Sequence, residues 1–348
     1  MPSGVTGVSQ NDRSRHFLVT GASGFVGGNL VRMLVERGHK VTALVRKTSN
    51  KKALEALGVT FAYGDLATGE GLDEAVANVD VVLHLAGITK ARTQEEYHRG
   101  NGEGTRLLAA AAARRKNPPR FVFCSSLAAA GPASKGSPRN EAHEPAPVST
   151  YGRSKLAGEM AVRQFADKLP AIIVRPPIVY GPGDVTNLPP LMQMGRFGIY
   201  VKPGRKDRFF SFIHVDDLCE ALILASFKGS TLSPDDRSKG VYFVADPNEY
   251  TWDEFCQAIS KAMGKSRARI LPMPEILSKV VGAGAELGGR LIGAVPIMNR
   301  DKATEMLCDA WTCNVERATN ELQFKPQFAH VDHGLQHTMA WYRKEGML

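Results

Sequence analysis

The sequence predicts an α/β fold, a doubly wound parallel sheet followed by a smaller C-terminal part. Three observations support this prediction. In the first half of the 348-residue chain, short apolar segments alternate with segments of helical periodicity. A glycine-rich turn joins the first predicted strand to the first predicted helix. Beyond Arg175 the alternation ends and prolines become frequent, so we place a domain boundary at this residue.

The predicted strands of the first part are short runs rich in β-branched or aromatic residues. They are His16–Thr20, Lys40–Val45, Val59–Tyr63, Val79–Leu85, Phe121–Cys124 and Ala171–Val174. Apolar residues at helical spacing predict the clearest helices at Phe25–Arg37, Gln94–Ala113 and Tyr151–Lys168. Residues 16–175 are therefore expected to form one domain, and residues 1–15 a disordered leader.

Residues 176–348 are expected to form the smaller part, interleaved with the first domain. Its clearest elements are a strand at Val241–Val244 and a helix at Thr251–Met263. The segment Pro274–Met298 is apolar and glycine-rich, but charged residues interrupt it. Three interpretations of this segment stay open: a packed core helix, a lid over an apolar ligand, and a contact with a membrane surface.

Composition and charge exclude several classes of protein. The chain has no apolar stretch long enough for a transmembrane helix, and its polar N-terminus does not resemble a signal peptide. Its five cysteines are scattered and include no CxxC pair, which argues against a disulfide framework and favours a reducing cytoplasm. The formal net charge is +9, but the basic clusters are separate in sequence, so nucleic-acid binding is not expected.

Two further expectations follow from the charged residues. The basic surplus is compatible with loose association with an anionic membrane surface. His330, His333 and His337 could place two imidazoles on one helix face, but we interpret them as surface histidines and expect no metal site.

The glycine-rich turn predicts a dinucleotide-binding site. Its candidate residues are Gly21, Ser23, Gly24, Phe25, Val26 and Gly27. Gly21 permits a tight turn, Gly24 lets the backbone approach a pyrophosphate at the helix N-terminus, and Gly27 allows the helix to pack closely on the strand. The G-x-x-G-x-x-G spacing differs from the more common G-x-G-x-x-G, so the position of the turn between strand and helix carries the prediction.

The end of the second predicted strand favours NADP(H), with NAD(H) as the alternative. NAD-binding sites place an acidic residue here to bind the ribose 2′-OH, but this chain has no acid and instead has Arg46, which suits a 2′-phosphate. The alternative is that Arg46 is a solvated loop cation. Further candidate cofactor residues follow the third and fourth strands: Asp65, Leu66, Leu85, Ala86 and Gly87.

A catalytic group is predicted from residues of two elements. Tyr151 and Lys155 lie four residues apart, on one face of a predicted helix. A neighbouring ammonium lowers the pKa of a phenol, so we expect the pKa of Tyr151 to be depressed. Ser125 and Ser126 end the fifth strand, at the sheet edge where doubly wound folds bind ligands. A hydroxyl there can donate to a substrate carbonyl.

These motifs together resemble the extended short-chain dehydrogenases/reductases, in particular the NAD(P)-dependent epimerase/dehydratase group. The resemblance runs from about His16 to the C-terminus. Besides the residues above it includes His84-Leu85-Ala86-Gly87, Asn101, Arg175-Pro176, Tyr180-Gly181-Pro182-Gly183 and Phe212-Ile213-His214-Val215-Asp216-Asp217. It implies a Rossmann-type fold, with the C-terminal part binding the substrate.

The resemblance also implies roles for individual residues. Ser126, Tyr151 and Lys155 would be catalytic, with Tyr151 as the acid/base and Lys155 also binding the cofactor ribose. Pro176 and Ile178 would contact the cofactor, and Ser125 would lie beside the substrate. A homodimer packed through the helices near residues 94–113 and 151–168 is also implied.

Two departures from the family pattern narrow the predicted activity. Leu127-Ala128-Ala129 follows the serine pair, where the family's dehydratases have an acidic pair. Phe210 occupies the position of the arginine that binds the diphosphate in nucleotide-sugar enzymes, and we expect it to contact the substrate. The run Ser126–Pro132 is instead similar to 3β-hydroxysteroid dehydrogenase-like and dihydroflavonol reductase-like members.

The predicted function is therefore hydride transfer between NAD(P)(H) and a secondary alcohol or ketone on a small apolar substrate, sterol-, flavonoid- or lipid-like. Two alternatives stay open. A nucleotide-sugar epimerase or reductase would use the same Ser/Tyr/Lys triad. A non-catalytic NADPH-sensing scaffold would bind the cofactor without needing the triad.

Overall fold

A seven-stranded parallel sheet forms the centre of the protein, as seen in a computed structural model that describes residues 14–276 and 300–348. The strands along the chain are β1 (His16–Thr20), β2 (Lys40–Val45), β3 (Thr60–Tyr63), β4 (Val81–His84), β5 (Arg120–Cys124), β6 (Ala171–Arg175), β7 (Ile178–Tyr180), β8 (Ile199–Pro203), β9 (Phe209–Phe210), β10 (Phe212–His214), β11 (Val241–Phe243), β12 (Tyr250–Thr251), β13 (Arg269–Met273) and β14 (Ala310–Trp311). The order across the central sheet is β11-β6-β5-β4-β1-β2-β3. The predicted fold class, a doubly wound parallel sheet of Rossmann type, is confirmed.

Helices cover both faces of this sheet. They are α1 (Phe25–Glu36), α2 (Lys52–Glu55), α3 (Leu72–Ala75), α4 (Gln94–Tyr97), α5 (Gly104–Ala113), α6 (Leu127–Ala130), α7 (Thr150–Arg163), α8 (Leu188–Arg196), α9 (Val215–Phe227), α10 (Trp252–Ala262), α11 (Arg300–Leu307) and α12 (Val331–Lys344). α1 and α9 pack together in the buried cluster on one face, and α3, α5 and α7 contribute to a separate buried cluster on the other. Because both faces are covered, the strand residues are mainly apolar and do not alternate regularly with polar ones.

The part of the chain beyond Arg175 contributes directly to the central sheet. β11 pairs in parallel with β6 at the sheet edge. α9 packs on the sheet beside α1, and Leu218 and Leu222 of α9 are fully buried. The C-terminal part therefore includes elements of the sheet domain as well as its own.

A second apolar core lies in the C-terminal part and is built mainly from aromatic side chains. The rings of Phe212 and Phe255 stack with their centroids 3.9 Å apart, and Tyr180 packs edge-on against both. Three small sheets frame this core: β7 with β10, β8 with β13, and β9 between β12 and β14. These pairings place the C-terminal part beside the ends of β5 and β6.

The structure corrects several predicted boundaries. Ser14 and Arg15, assigned to the leader, bind the sheet domain, since Ser14 Oγ donates to the Gly38 carbonyl and Arg15 Nη1 to the Ser226 carbonyl. The helix predicted to end at Lys168 ends at Arg163. The predicted helix over 94–113 contains a π-helical turn, His98–Glu103, between α4 and α5.

Two predicted features fall largely outside the described residues. These are residues 1–13 of the leader and residues 277–298 of the apolar segment. In the described ranges 14–276 and 300–348, no helix is long and apolar enough to cross a membrane.

Candidate active site

The glycine turn between β1 and α1 leaves no space for side chains. Gly21 adopts a φ of +70°, and a Cβ at this position would lie 2.7 Å from the Ala86 nitrogen. A Cβ on Gly27 would lie 2.1 Å from the Gly21 carbonyl oxygen. α1 begins after Gly24 with no side-chain cap and no acidic residue in its first turn. Its N–H groups and the positive end of its dipole can therefore bind an anionic pyrophosphate.

The end of β4 lies next to the glycine turn, and a buried histidine fixes its position. Thr20 Oγ1 accepts from the Ala86 nitrogen at 3.0 Å and lies 2.7 Å from His84 Nδ1. His84 Nε2 lies 2.9 Å from Thr105 Oγ1, which itself donates to the Asn101 carbonyl. This chain orients the imidazole with its proton on Nε2, and burial lowers the pKa of His84 to about 3. The neutral ring holds the strand end in place.

Asn101, in the π-helical turn, connects that strand end to α7. Its Oδ1 accepts from the Ile88 nitrogen at 2.6 Å, and its Nδ2 donates to the Ile88 carbonyl and to Ser154 Oγ. A Cβ on Gly87 would lie 3.1 Å from Asn101 Oδ1 and 3.7 Å from Lys155 Nζ. Gly87 is thus the point where the predicted cofactor loop meets the predicted catalytic helix.

The remaining predicted cofactor residues line the same edge of the sheet. Arg46 directly follows β2 and is exposed. Asp65 follows β3, where its Oδ1 accepts from the Ala67 nitrogen at 2.8 Å. Ser23 is exposed, Phe25, Val26, Leu66, Leu85, Ala86 and Ile178 are half-buried, and Pro176 is buried. The turn fits a dinucleotide because its backbone is bare at Gly21 and Gly27, where a side chain would collide with neighbouring backbone atoms.

Ser126 and Tyr151 meet beside the end of β5. Ser126 is the N-cap of α6, and its Oγ accepts from the Ala128 nitrogen at 3.1 Å. Tyr151 lies in the first turn of α7, where the neighbouring Ser126 side chain acts to lower the pKa of its hydroxyl. The ring of Tyr97 packs edge-on against Tyr151 at 6.3 Å. The predicted serine–tyrosine pair is therefore brought together by two separate elements.

Lys155 lies one turn farther along α7 and is buried. Its Nζ donates to the Cys124 carbonyl at 2.7 Å and lies 4.3 Å above the centre of the Phe123 ring. Burial lowers the pKa of Lys155 to about 8, and the charge of Glu159 opposes this shift. The ammonium form therefore predominates below about pH 8 and is lost as the pH rises through that value.

The expected depression of the pKa of Tyr151 is wrong for this structure. Burial raises the pKa of Tyr151, and the hydrogen bond with Ser126 offsets this only in part. The ammonium of Lys155 donates instead to the backbone at the end of β5. Without cofactor, Tyr151 is a neutral phenol, which suits a proton donor better than a base.

Ser125 is bound within the protein at the end of β5. Its Oγ donates to Glu159 Oε1 at 2.6 Å, and Arg175 binds the same carboxylate with Nε and Nη2 at 2.9 and 2.5 Å. All three side chains are buried. Glu159 lies one turn beyond Lys155 on α7, so this group ties α7 to the ends of β5 and β6. Ser125 therefore positions the strand end, and its contact with a substrate stays a prediction.

Phe210 is the other residue predicted to contact the substrate, and that contact stays a prediction as well. Its ring is buried in the C-terminal core, 6.4 Å from that of Phe212 and 6.0 Å from that of Trp252. Arg208, two residues earlier, is buried as well and donates to the Pro203 carbonyl and to Glu275 Oε1. Neither residue presents a free cation to a ligand.

His214 fixes the connection into α9. It caps this helix, with Nδ1 accepting from the Asp216 nitrogen at 3.2 Å, and its Nε2 lies 3.4 Å from His337 Nδ1. Candidate metal-ligand atoms of His214, Asp216 and His337 lie within 4.8 Å of one another. Since His214 Nδ1 accepts a hydrogen bond, the ring proton lies on Nε2, which cannot then bind a metal.

Comparison with known proteins agrees with this arrangement. A model of the NAD-dependent epimerase/dehydratase family matches residues 17–236, more than half of the chain. The chain belongs to this family. It is an NAD(P)-dependent enzyme of the extended short-chain dehydrogenase/reductase type.

The relatives of this family member include reductases of lipid-like compounds. A ceramide reductase from Caulobacter vibrioides is 34% identical over 333 residues, which is 95% of each chain. A 2-alkyl-3-oxoalkanoate reductase from Shewanella oneidensis is 28% identical over 312 residues, covering 84% of this chain and 78% of the relative.

A solved UDP-glucose 4-epimerase from Thermotoga maritima has a TM-score of 0.75 and 20% identity, covering 95% of this chain and 99% of the epimerase. At that identity the likeness extends to the fold alone.

Sequence reasoning missed Glu159, the residue that joins the catalytic elements. The spacing gave part of the information, because Glu159 lies four residues after Lys155 and therefore on the same face of the helix. Its partners Ser125 and Arg175 are distant in sequence, and only the strand order brings them together. Thr20, Thr105 and Ser154 were missed for the same reason.

Replacing Tyr151 with Phe removes the proton donor and leaves the ring in place. We expect turnover to fall by roughly 10² to 10⁴-fold, the scale of general acid–base catalysis. Cofactor affinity, measured by fluorescence titration, should change little. Tyr97→Phe is a matched control, because it removes a neighbouring hydroxyl that donates to the Thr89 carbonyl. Equal turnover in the Tyr151→Phe variant and the wild type would contradict the assignment.

Replacing Glu159 with Gln leaves the Arg175 guanidinium buried without a carboxylate. Breaking a buried pair in this way costs about 3–5 kcal/mol, so the free energy of unfolding measured in urea should fall by that amount. The double variant Glu159→Gln/Arg175→Met removes both charges and should recover most of the loss. Equal stability of the wild type and the single variant would contradict the proposed coupling.

Proposed function

We propose that this protein transfers hydride between NADP(H) and a secondary alcohol or ketone on an apolar, lipid-like substrate. The observation that carries the proposal is the loss of the diphosphate-binding cation. Phe210 stands in its place within the C-terminal core, and the nearby Arg208 is bound to Glu275. The names of the two reductase relatives support the same substrate class.

The site's own residues supply proton transfer and orientation. Tyr151 can donate its phenolic proton to a substrate oxygen, because burial keeps that proton in place at neutral pH. Ser126, whose side chain lies beside Tyr151, can donate to the same oxygen. When bound, the nicotinamide cofactor supplies or accepts the hydride. Lys155, held at the end of β5, is placed to bind the cofactor ribose and to stabilise charge that develops on Tyr151.

The nucleotide-sugar alternative has no cation at the position that the family resemblance assigns to the diphosphate-binding arginine, which is Phe210 in this chain. A diphosphate in a partly buried site gains most from a bidentate, charge-assisted hydrogen bond with arginine. Arg208 makes its charge-assisted bond with Glu275, and Phe210 cannot make one. An NADPH-sensing scaffold is disfavoured on other grounds, because a sensor does not need a paired serine and tyrosine beside the cofactor loop.

We also propose a homodimer in the cytoplasm, packed through α5 and α7. Met160 of α7 supports this proposal, since 55% of its side chain is exposed on a helix whose other apolar residues are buried or half-buried. The family resemblance implies the same arrangement.

Arg46→Ala tests the preference for NADP(H). The exposed guanidinium after β2 is placed to bind a 2′-phosphate, so the KM for NADPH should rise at least ten-fold while that for NADH changes little. Lys47→Ala, at the neighbouring exposed position, is the matched control. An equal rise in KM for NADPH and NADH, or a wild-type preference for NADH, would contradict this role and leave Arg46 as a solvated surface cation.

The substrate class is tested by following nicotinamide absorbance with a panel of ketones and alcohols. We expect turnover of a long-chain keto-lipid or a hydroxysteroid and none of UDP-glucose or UDP-galactose. Tyr151→Phe, assayed in parallel, shows whether any turnover comes from this site. Turnover of the UDP-sugars alone would support the nucleotide-sugar alternative and overturn the proposal.

A further inference from the structure

One edge of the C-terminal part combines exposed apolar side chains with a concentration of positive charge. We call it the cationic edge. Its basic residues are Arg196, Lys265, Arg267, Arg269, Arg343 and Lys344, and its exposed apolar residues are Met194, Phe197, Ile199, Leu271 and Met347. None of these residues belongs to the predicted apolar segment 274–298 or to the predicted catalytic group.

Backbone contacts show that these residues share one edge although they lie far apart in sequence. β8 and β13 run parallel, so both begin at this edge, and the Arg269 nitrogen donates to the Gly198 carbonyl at 2.8 Å. Arg343 Nη2 donates to the Ala262 carbonyl at the end of α10. Arg196 Nη2 donates to the Met347 carbonyl at 3.4 Å. The C-terminal ends of α8, α10 and α12 therefore converge.

The apolar residues of the cationic edge point away from the core. In the β8–β13 pair, Tyr200 is fully buried, so its neighbour Ile199 faces outward, and Leu271 lies on the same outward face. Phe197 is 78% exposed, and Ile199 and Leu271 are 40% and 44% exposed. Among the described residues, Ile276 is also 78% exposed and Val185 is 67% exposed, but neither is aromatic. The position of Phe197 has no packing explanation.

The charge of this edge is strongly one-sided. Glu345 is the only acidic residue in the segments 194–199, 263–271 and 343–348, which contain all six basic residues. Cations at helix C-termini favour the helix dipole, and this accounts for Arg196, Arg343 and Lys344. It does not account for Arg267 and Arg269, which precede and begin a strand, or for the exposed aromatic ring beside them.

We propose that the cationic edge docks on an anionic lipid bilayer, with Phe197, Ile199 and Leu271 entering the headgroup region. An exposed aromatic and aliphatic group surrounded by arginine and lysine is the combination that binds peripherally to membranes. The charge favours a lipid surface over a second copy of this chain, because two cationic edges would repel each other. Docking here does not depend on the proposed substrate class.

Vesicle sedimentation of the purified full-length protein tests the proposal. We expect binding to vesicles of phosphatidylcholine with one third phosphatidylglycerol, little binding to phosphatidylcholine alone, and loss of binding at high salt. Phe197→Ser should weaken binding several-fold. Arg267→Gln/Arg269→Gln should weaken it by about five-fold for each charge removed.

Matched controls change similar residues elsewhere on the surface. Tyr63→Ser removes another exposed aromatic side chain, and Lys116→Gln/Lys239→Gln removes two exposed cations. Neither change should alter vesicle binding. Equal binding by the edge variants and the wild type would overturn the proposal. So would sedimentation velocity showing that Phe197→Ser dissociates an oligomer without affecting vesicle binding, since the edge would then contact a second copy.

Discussion

The buried ion pair between Glu159 and Arg175 is the constraint on which the active site depends. α7 carries Tyr151 and Lys155, whereas Ser126 lies beyond the end of β5, so noncovalent contacts must set the distance between them. Glu159 of α7 makes these contacts by accepting hydrogen bonds from Ser125 at the end of β5 and from Arg175 on β6. A buried carboxylate needs all its partners, so the position of α7 on the sheet is well defined.

Burial, more than charge, sets the protonation states around this pair. Burial raises the pKa of Tyr151 and lowers the pKa of Lys155 to about 8, so Tyr151 keeps its proton while Lys155 is still mostly cationic at neutral pH. Cys124 and the charge of Glu159 oppose the shift on Lys155, and Cys124 makes the larger contribution. Glu159 therefore anchors α7 and also adds a negative charge near Lys155.

The sequence predicted the periodic and local features of this protein well. Alternation located the strands within a few residues, and the spacing of Tyr151 and Lys155 placed both on one helix. It could not predict the partner of Ser125, because Glu159 and Arg175 reach it only through the order of β5 and β6. The error in the pKa of Tyr151 has another cause: proximity to Lys155 is visible in sequence, but burial is not.

The packing of the C-terminal part constrains which side chains β9 can carry. The side chains of Ser126, Tyr151 and Lys155 are held by the sheet and α7, which do not involve β9. Phe210 in β9 packs against Phe212 and Trp252, so an arginine there would put a charge into an aromatic core. Such a charge would need a buried partner or a bound anion. Because the core around Phe210 is apolar, the packing of this part disfavours a cation at this position.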